Sequence, residues 1–221
     1  NYIEVEDFGD NTLFKVLKHN KTNKELFFRK ILKTLSRLQL IKDKQVVNFN
    51  RQKYKVQKYD NKILLNEAKL FSEWYATRKI NKFKIRKFKK VFENEVKKLL
   101  SKLNFKNDTF VHRDFHVSNL MYVKNNIAVI DSQDALIGNK AYDLASLVDD
   151  VRFETSNKLK NKILNSYFKK LKKTEINKFV NDFEILSVLR NLKIIGIFTR
   201  LALRDNKKKY AKMIPYAWEM I

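Results

Sequence analysis

A chain of 221 residues, 44% of them apolar and seventeen of them Phe, can bury one large core or two small lobes. It has no cysteine, which excludes disulfides, zinc–thiolate sites and cysteine nucleophiles and suits a reducing cytoplasm, the expected location. Lys and Arg outnumber Asp and Glu by 48 to 24, a net charge of +24 that brings nucleic acid or an anionic membrane surface into consideration.

With three Gly and one Pro, the composition favours long helices over turn-rich sheets. Residues Asn1 to Val5 alternate toward an apolar strand and do not read as a secretory signal. Gly9 permits a sharp turn, and Asp10 or Asn11 is placed to cap a helix through Leu13, Phe14, Val16 and Leu17. Thr22-Asn23-Lys24-Glu25 has the form of a capping box, and Leu26, Phe27, Ile31, Leu35 and Leu38 then share one helical face. Val46 to Tyr59 is polar and reads as a loop or irregular crossing. Helices are expected over Ile63 to Arg78 and Phe83 to Leu103. Beyond Asp131, Gly138 marks a turn, and Asp143 opens a helix through Val151 with its charge at the favourable end. Further helices follow over about Thr155 to Leu171, Thr174 to Leu203 and Lys207 to Met220, the last kinked or divided by Pro215. No internal repeat, no domain linker after Gly9 and no membrane-spanning run is visible.

The chemistry is concentrated between Thr109 and Asp131. A short strand, Thr109 to Val111, stops at His112-Arg113-Asp114, and Asn119 comes five residues after Asp114. Leu120 to Val123 and Ile127 to Ile130 read as two strands joined at Lys124-Asn125-Asn126, a β-hairpin. Folding such a hairpin brings Asn119 beside Asp131, with Asp114 on the loop just before them. An amide oxygen and two carboxylates suit a hard cation with oxygen ligands, chiefly Mg²⁺. H-R-D-x-x-x-x-N is also the catalytic-loop pattern of the kinase fold. On that pattern Asp114 deprotonates the acceptor hydroxyl, and Asn119 and Asp131 hold Mg²⁺ against the nucleotide phosphates.

Three stretches carry a wider resemblance. His112 to Asn119, Ile130 to Asp134 and Ala141 to Ala145 resemble the aminoglycoside phosphotransferase family of kinase-like enzymes. Asn66 to Tyr75, Asp131 to Arg152 and Arg190 to Asp205 are similar to its branch of bacterial anomeric N-acetylmuramate and N-acetylglucosamine kinases. The resemblance implies an α+β, mainly helical fold: the C-terminal lobe of the protein-kinase-like fold, with a small catalytic-loop β-hairpin. It implies ATP and Mg²⁺ as cofactors, Asp114 as base, Asn119 and Asp131 as metal ligands, and His112 and Asp143 as supports of the loop. Glu6-Asp7-Phe8 resembles the hinge whose backbone holds the adenine ring. The family's glycine-rich loop and ATP-gripping Lys precede that hinge, so the N-terminal β lobe is expected to be largely absent. Residues 1–9 are then a hinge strand left from the nucleotide lobe, and 10–221 the helical lobe.

The implied reaction is transfer of the ATP γ-phosphate to a small-molecule hydroxyl, the anomeric hydroxyl of an amino sugar. Aminoglycosides, choline or another metabolite are rival acceptors, and an inactive kinase-fold binding module is the rival from another class. Trp74 suits either sugar stacking or helix packing, and Asp134 either substrate contact or a turn cap. Arg190 lies in an apolar helix and needs a partner, an Asp or the substrate. His116 is expected to bond the loop backbone, and Asp149 and Asp150 to be solvated or paired with Arg. The lysines are spread over every helix with no arginine–aromatic patch. They read as solvated surface, whose field attracts an anionic nucleotide without making nucleic acid the partner.

Overall fold

The computed structural model describes residues 6–19, 23–42, 44–48 and 50–221. The strand expected at the start of the chain, and Thr22 of the capping box, lie outside them. The first helix, α1 (Leu13–Lys18), is capped by Thr12, whose Oγ1 accepts from the Lys15 N–H at 3.3 Å; neither Asp10 nor Asn11 caps it. The helix α2 (Lys24–Gln39) is capped by Asn23, whose Oδ1 accepts from the Leu26 N–H. It turns Phe28, Ile31, Leu32 and Leu35 inward.

Residues 46–59 are not a loop throughout. Strands β1 (Gln45–Val47) and β2 (Lys53–Lys55) pair antiparallel. Both are exposed on both faces, so neither shows the alternation by which a strand is recognised. The helix expected over 63–78 is divided into α3 (Asn61–Leu70), a π-turn (Phe71–Tyr75) and α4 (Ala76–Lys79). Then comes α5 (Lys82–Leu100).

The remaining strands are β3 (Thr109–Val111), β4 (Leu120–Val123), β5 (Asn126–Val129) and β6 (Leu136–Gly138). The hairpin β4–β5 closes through Lys124 and Asn125, both left-handed (φ 45° and 66°), the two-residue geometry that matches strand twist. Gly138 is not a turn. It pairs with Thr109 in the β3–β6 ribbon, where a Cβ would come within 3.0 Å of the Tyr59 Cβ. Residues 57–59 bond to Ile137, which adds Tyr59 to this ribbon.

The C-terminal part contains α6 (Tyr142–Val148), α7 (Asn157–Phe168) and α8 (Lys173–Leu203). The final helix is divided as Pro215 suggests, into a 3₁₀ segment (Lys208–Met213) and α9 (Ile214–Glu219), with the proline in the first turn. At 31 residues, α8 is the spine. Phe179, Phe183, Leu186 and Leu189 join a core shared with α1, α2, α6 and α7, while Ile195 and Phe198 join a second cluster around Phe71, Ala76 and Ala217. No described helix is long and apolar enough to cross a membrane.

Candidate active site

The loop 112–119 is held from beneath by one carboxylate. Asp143, on α6, accepts from the His112 N–H at 2.7 Å and the Arg113 N–H at 3.0 Å. Burial pushes its carboxyl up to about 7, against the two N–H donors that favour the ionised form. The His112 ring donates Nε2–H to the Ile130 carbonyl at 3.0 Å, tying the loop to the end of the hairpin. Burial lowers the His112 pKa, opposed by the Ile130 bond and then by the charges of Asp114 and Asp131. Both carboxylates therefore lie within electrostatic reach of one imidazole.

Asn119 joins the other two. Its Nδ2 donates to the Asp114 carbonyl at 3.1 Å and reaches Asp131 Oδ2 at 3.5 Å, while its backbone carbonyl accepts from the Ile130 N–H. Asp131 Oδ1 accepts from Gln133 Nε2 at 2.6 Å. Arg113 and Asp131 are both non-glycine residues in left-handed backbone (φ 73° and 67°), conformations that persist only where surrounding bonds fix them. No group of three His, Cys, Asp or Glu side chains gathers as a metal site among the described residues. A cation here would rest on Asn119 and Asp131, and this all-oxygen pair fits a hard ion that takes its other ligands from phosphate and water.

Around Asp114 the charges are positive. Burial pushes its carboxyl up, but Lys193, Arg190 and Arg152, with His116 when it is protonated, outweigh that and hold it below the ordinary carboxylate range. Asp114 is thus an anion at neutral pH, as an acceptor of a hydroxyl proton must be. Burial drives His116 down to about 4, opposed by Asp150 and assisted by Arg152 and Arg190, so its ring is neutral. Asp150 receives Arg152 at 3.3 Å. Asp149 receives Lys160 at 2.9 Å and the Ser187 hydroxyl on its carboxylate, and Arg190 at 3.1 Å on its backbone carbonyl.

A second hub was not visible in the sequence. Glu67, on α3, accepts from Tyr59 and Arg113 and pairs with Lys193 at 3.0 Å. Arg113 also donates to the Asp134 carbonyl at 3.0 Å and lies over the Tyr59 ring, 5.1 Å from its centroid. Glu67 and Arg113 together therefore tie α3, α8 and the loop after Asp131 at the position preceding Asp114. The available signal was that Glu67 stands on the stripe of Leu64, Ala68 and Phe71, where an apolar residue is expected.

Other expected residues are placed differently. Asp134 is exposed and enters through its backbone carbonyl. Trp74 is half-buried in the π-turn, belongs to neither apolar cluster and is not joined to the loop by any bond. Glu6 and Asp7 are exposed and Phe8 half-buried. Asp7 accepts from the Gly9 N–H, and the chain just beyond pairs with the hairpin through Thr12 and Met121.

A loop aspartate, an amide and a carboxylate at the hairpin ends, and a mainly helical frame are together the arrangement of a kinase-like fold. Residues 12–175 match the phosphotransferase enzyme family, and the chain belongs to it. It is 35% identical over 163 residues to an N-acetylmuramate/N-acetylglucosamine kinase of Neisseria meningitidis, covering 71% of this chain and 49% of that protein. It is 32% identical over 167 residues to the kinase of the same name from Pseudomonas aeruginosa, covering 71% and 48%. The chain spans about half the length of these curated relatives. Among solved structures, choline kinase from Cryptosporidium parvum superposes with a TM-score of 0.58 at 15% identity, over 99% of this chain and 68% of that one. The ADP-bound aminoglycoside phosphotransferase APH(2'')-Ib does so at 0.55 and 19%, over 99% and 71%. These likenesses establish a kinase-like fold.

Proposed function

We propose that this chain is the helical, catalytic part of a small-molecule kinase that passes the γ-phosphate of ATP to the anomeric hydroxyl of an amino sugar of the N-acetylmuramate or N-acetylglucosamine kind. The observation that carries the reading is the Asn119 amide, which links the Asp114 carbonyl to the Asp131 carboxylate in a loop held by Asp143. The named relatives support the amino-sugar acceptor.

In this reading Asp114 orients the acceptor hydroxyl and takes its proton as the phosphorus–oxygen bond forms. Its lowered pKa keeps it ready to do so at neutral pH. Asn119 and Asp131 would hold Mg²⁺, which when bound neutralises charge on the nucleotide phosphates. His112 and Asp143 keep the loop in register. Glu6, Asp7 and Phe8 supply the hinge for adenine, as part of a linker in residues 1–9, and 10–221 form the C-terminal lobe. Trp74, Asp134 and Arg190 are assigned to the acceptor side. The glycine-rich loop and phosphate-gripping lysine of the family are assigned to the length that the relatives have beyond this chain. The reaction belongs in the cytoplasm, where ATP is available.

Phosphoryl transfer by the full-length protein tests this. Asp114→Asn should lower kcat by roughly 10²–10⁴-fold, the usual contribution of a positioned base, with Mg-ATP binding retained. Asp131→Asn should instead weaken Mg-ATP binding. Near-normal turnover in the Asp114 variant would refute the role assignment.

A further inference from the structure

We propose that Arg190 is the docking group for an anionic substituent of the acceptor, so that the site takes a sugar bearing a carboxylate in preference to its uncharged counterpart. This rests on the sugar-kinase reading above and adds the acceptor feature that the site distinguishes.

Arg190 is 3% exposed in the middle of α8. A guanidinium has five N–H donors. Among the described residues the only hydrogen bond of this one runs from Nη1 to the Asp149 carbonyl at 3.1 Å, and no carboxylate lies within ion-pair distance of it. Its neighbours differ. Lys193, one turn further along the same face of α8, has Glu67 at 3.0 Å, and Arg152 has Asp150 at 3.3 Å. Asp149, the acid that Arg190 touches, gives its carboxylate to Lys160 and Ser187 and offers Arg190 only its carbonyl. A largely buried guanidinium with one neutral acceptor keeps donors that an arriving anion can take.

The location selects the acceptor. Arg190 stands one turn before Lys193 on α8, and Lys193 shares Glu67 with Arg113, the residue preceding Asp114; its charge favours the ionised form of Asp114. Asp114 does not serve as its partner, since the two are not within ion-pair distance and the base must stay free for the hydroxyl. The nucleotide phosphates are assigned to Asn119 and Asp131, and neither of these touches Arg190. A planar fork whose charge reaches the base therefore matches a carboxylate on the molecule whose hydroxyl Asp114 receives.

The test compares N-acetylmuramate with N-acetylglucosamine, which differ by a carboxylate-bearing ether, as acceptors for the full-length protein and its Arg190→Gln and Arg190→Lys variants. The ratio of kcat/KM for the two sugars should fall by roughly 10–100-fold in Arg190→Gln, the effect of losing a charge-assisted bidentate contact. Arg190→Lys, which keeps the charge and loses the fork, should fall in between and also reports if the Gln variant does not fold. An unchanged ratio, with both acceptors losing equally, would overturn the proposal and leave Arg190 as a support for Asp114. A loss confined to KM for Mg-ATP would assign the anion to nucleotide phosphate and overturn it as well. If the wild-type protein phosphorylates neither sugar, the proposed function fails. Saturation-transfer NMR then decides the docking role separately: N-acetylmuramate binding that Arg190→Gln abolishes upholds it, and no binding to the wild type overturns it.

Discussion

Glu67 shows what a single residue contributes when three elements depend on it. Its carboxylate is largely shielded, with 14% of the side chain exposed, and receives Arg113, Lys193 and Tyr59. Arg113 occupies left-handed backbone immediately before Asp114, so the bond to Glu67 helps to fix the conformation from which the Asp114 side chain projects. Glu67→Gln keeps the shape and removes the charge, leaving two shielded cations facing each other. Breaking a buried pair from one side costs about 3–5 kcal/mol. The flanking side chains here retain some solvent, so the expected loss is about 2–4 kcal/mol. Urea unfolding of Glu67→Gln measures it, and Glu67→Gln/Lys193→Met should recover part of the loss because the stranded ammonium is gone. Simple additivity of the two changes would show that the pair is not coupled.

Among the elements, α8 makes the sharpest test through Gly196. A Cβ there would sit 2.3 Å from the Leu70 carbonyl carbon and 2.6 Å from the Phe71 nitrogen, main-chain atoms where α3 passes into the π-turn. Helix propensity alone predicts that Gly196→Ala gains about 1 kcal/mol. The clash is with backbone that no side-chain rotation relieves, and overpacking costs roughly 1–3 kcal/mol or more. Destabilisation should win, and thermal unfolding should show a lower Tm; a higher Tm would mean that the helices separate at little cost. The same contact explains a limit of sequence reading. Apolar spacing foretold α2, α5 and α8 because each buries a stripe or a whole cylinder. It could not foretell the π-turn, which answers to a helix more than a hundred positions away, nor β1 and β2, which bury nothing. Gly138 reads as a turn because its closeness to Tyr59 is a tertiary fact. At the site the distinction is alike. The spacing of Asp114, Asn119 and Asp131 is local to one loop and hairpin and can be read directly. The partnership of Glu67 with Arg113 spans 46 positions, and only a polar residue on an apolar stripe hints at it.

At the scale of the molecule, the net charge of +24 opposes compaction. The excess is spread over helix surfaces: α5 carries Lys82, Lys84, Arg86, Lys87, Lys89, Lys90, Lys97 and Lys98 against Glu93 and Glu95. Repulsion among exposed charges acts over the Debye length, which falls from roughly 30 Å at about 0.01 M salt to about 8 Å at about 0.15 M. The attractive pairs that matter most, around Glu67 and Asp149, are shielded from solvent and are screened much less. Added salt should therefore remove more repulsion than attraction. Across that range Tm should rise by about 3–6 °C, corresponding to ~1–2 kcal/mol for a chain of this size. The rise should follow ionic strength and be the same for chloride and acetate salts, since screening does not depend on a bound anion. A Tm that falls with salt would show that exposed ion pairs outweigh the repulsion, and a rise specific to one anion would place the effect at a binding site. If the proposed function holds, the same field draws ATP toward the loop, and kcat/KM for Mg-ATP in the full-length protein should fall as salt rises while kcat holds.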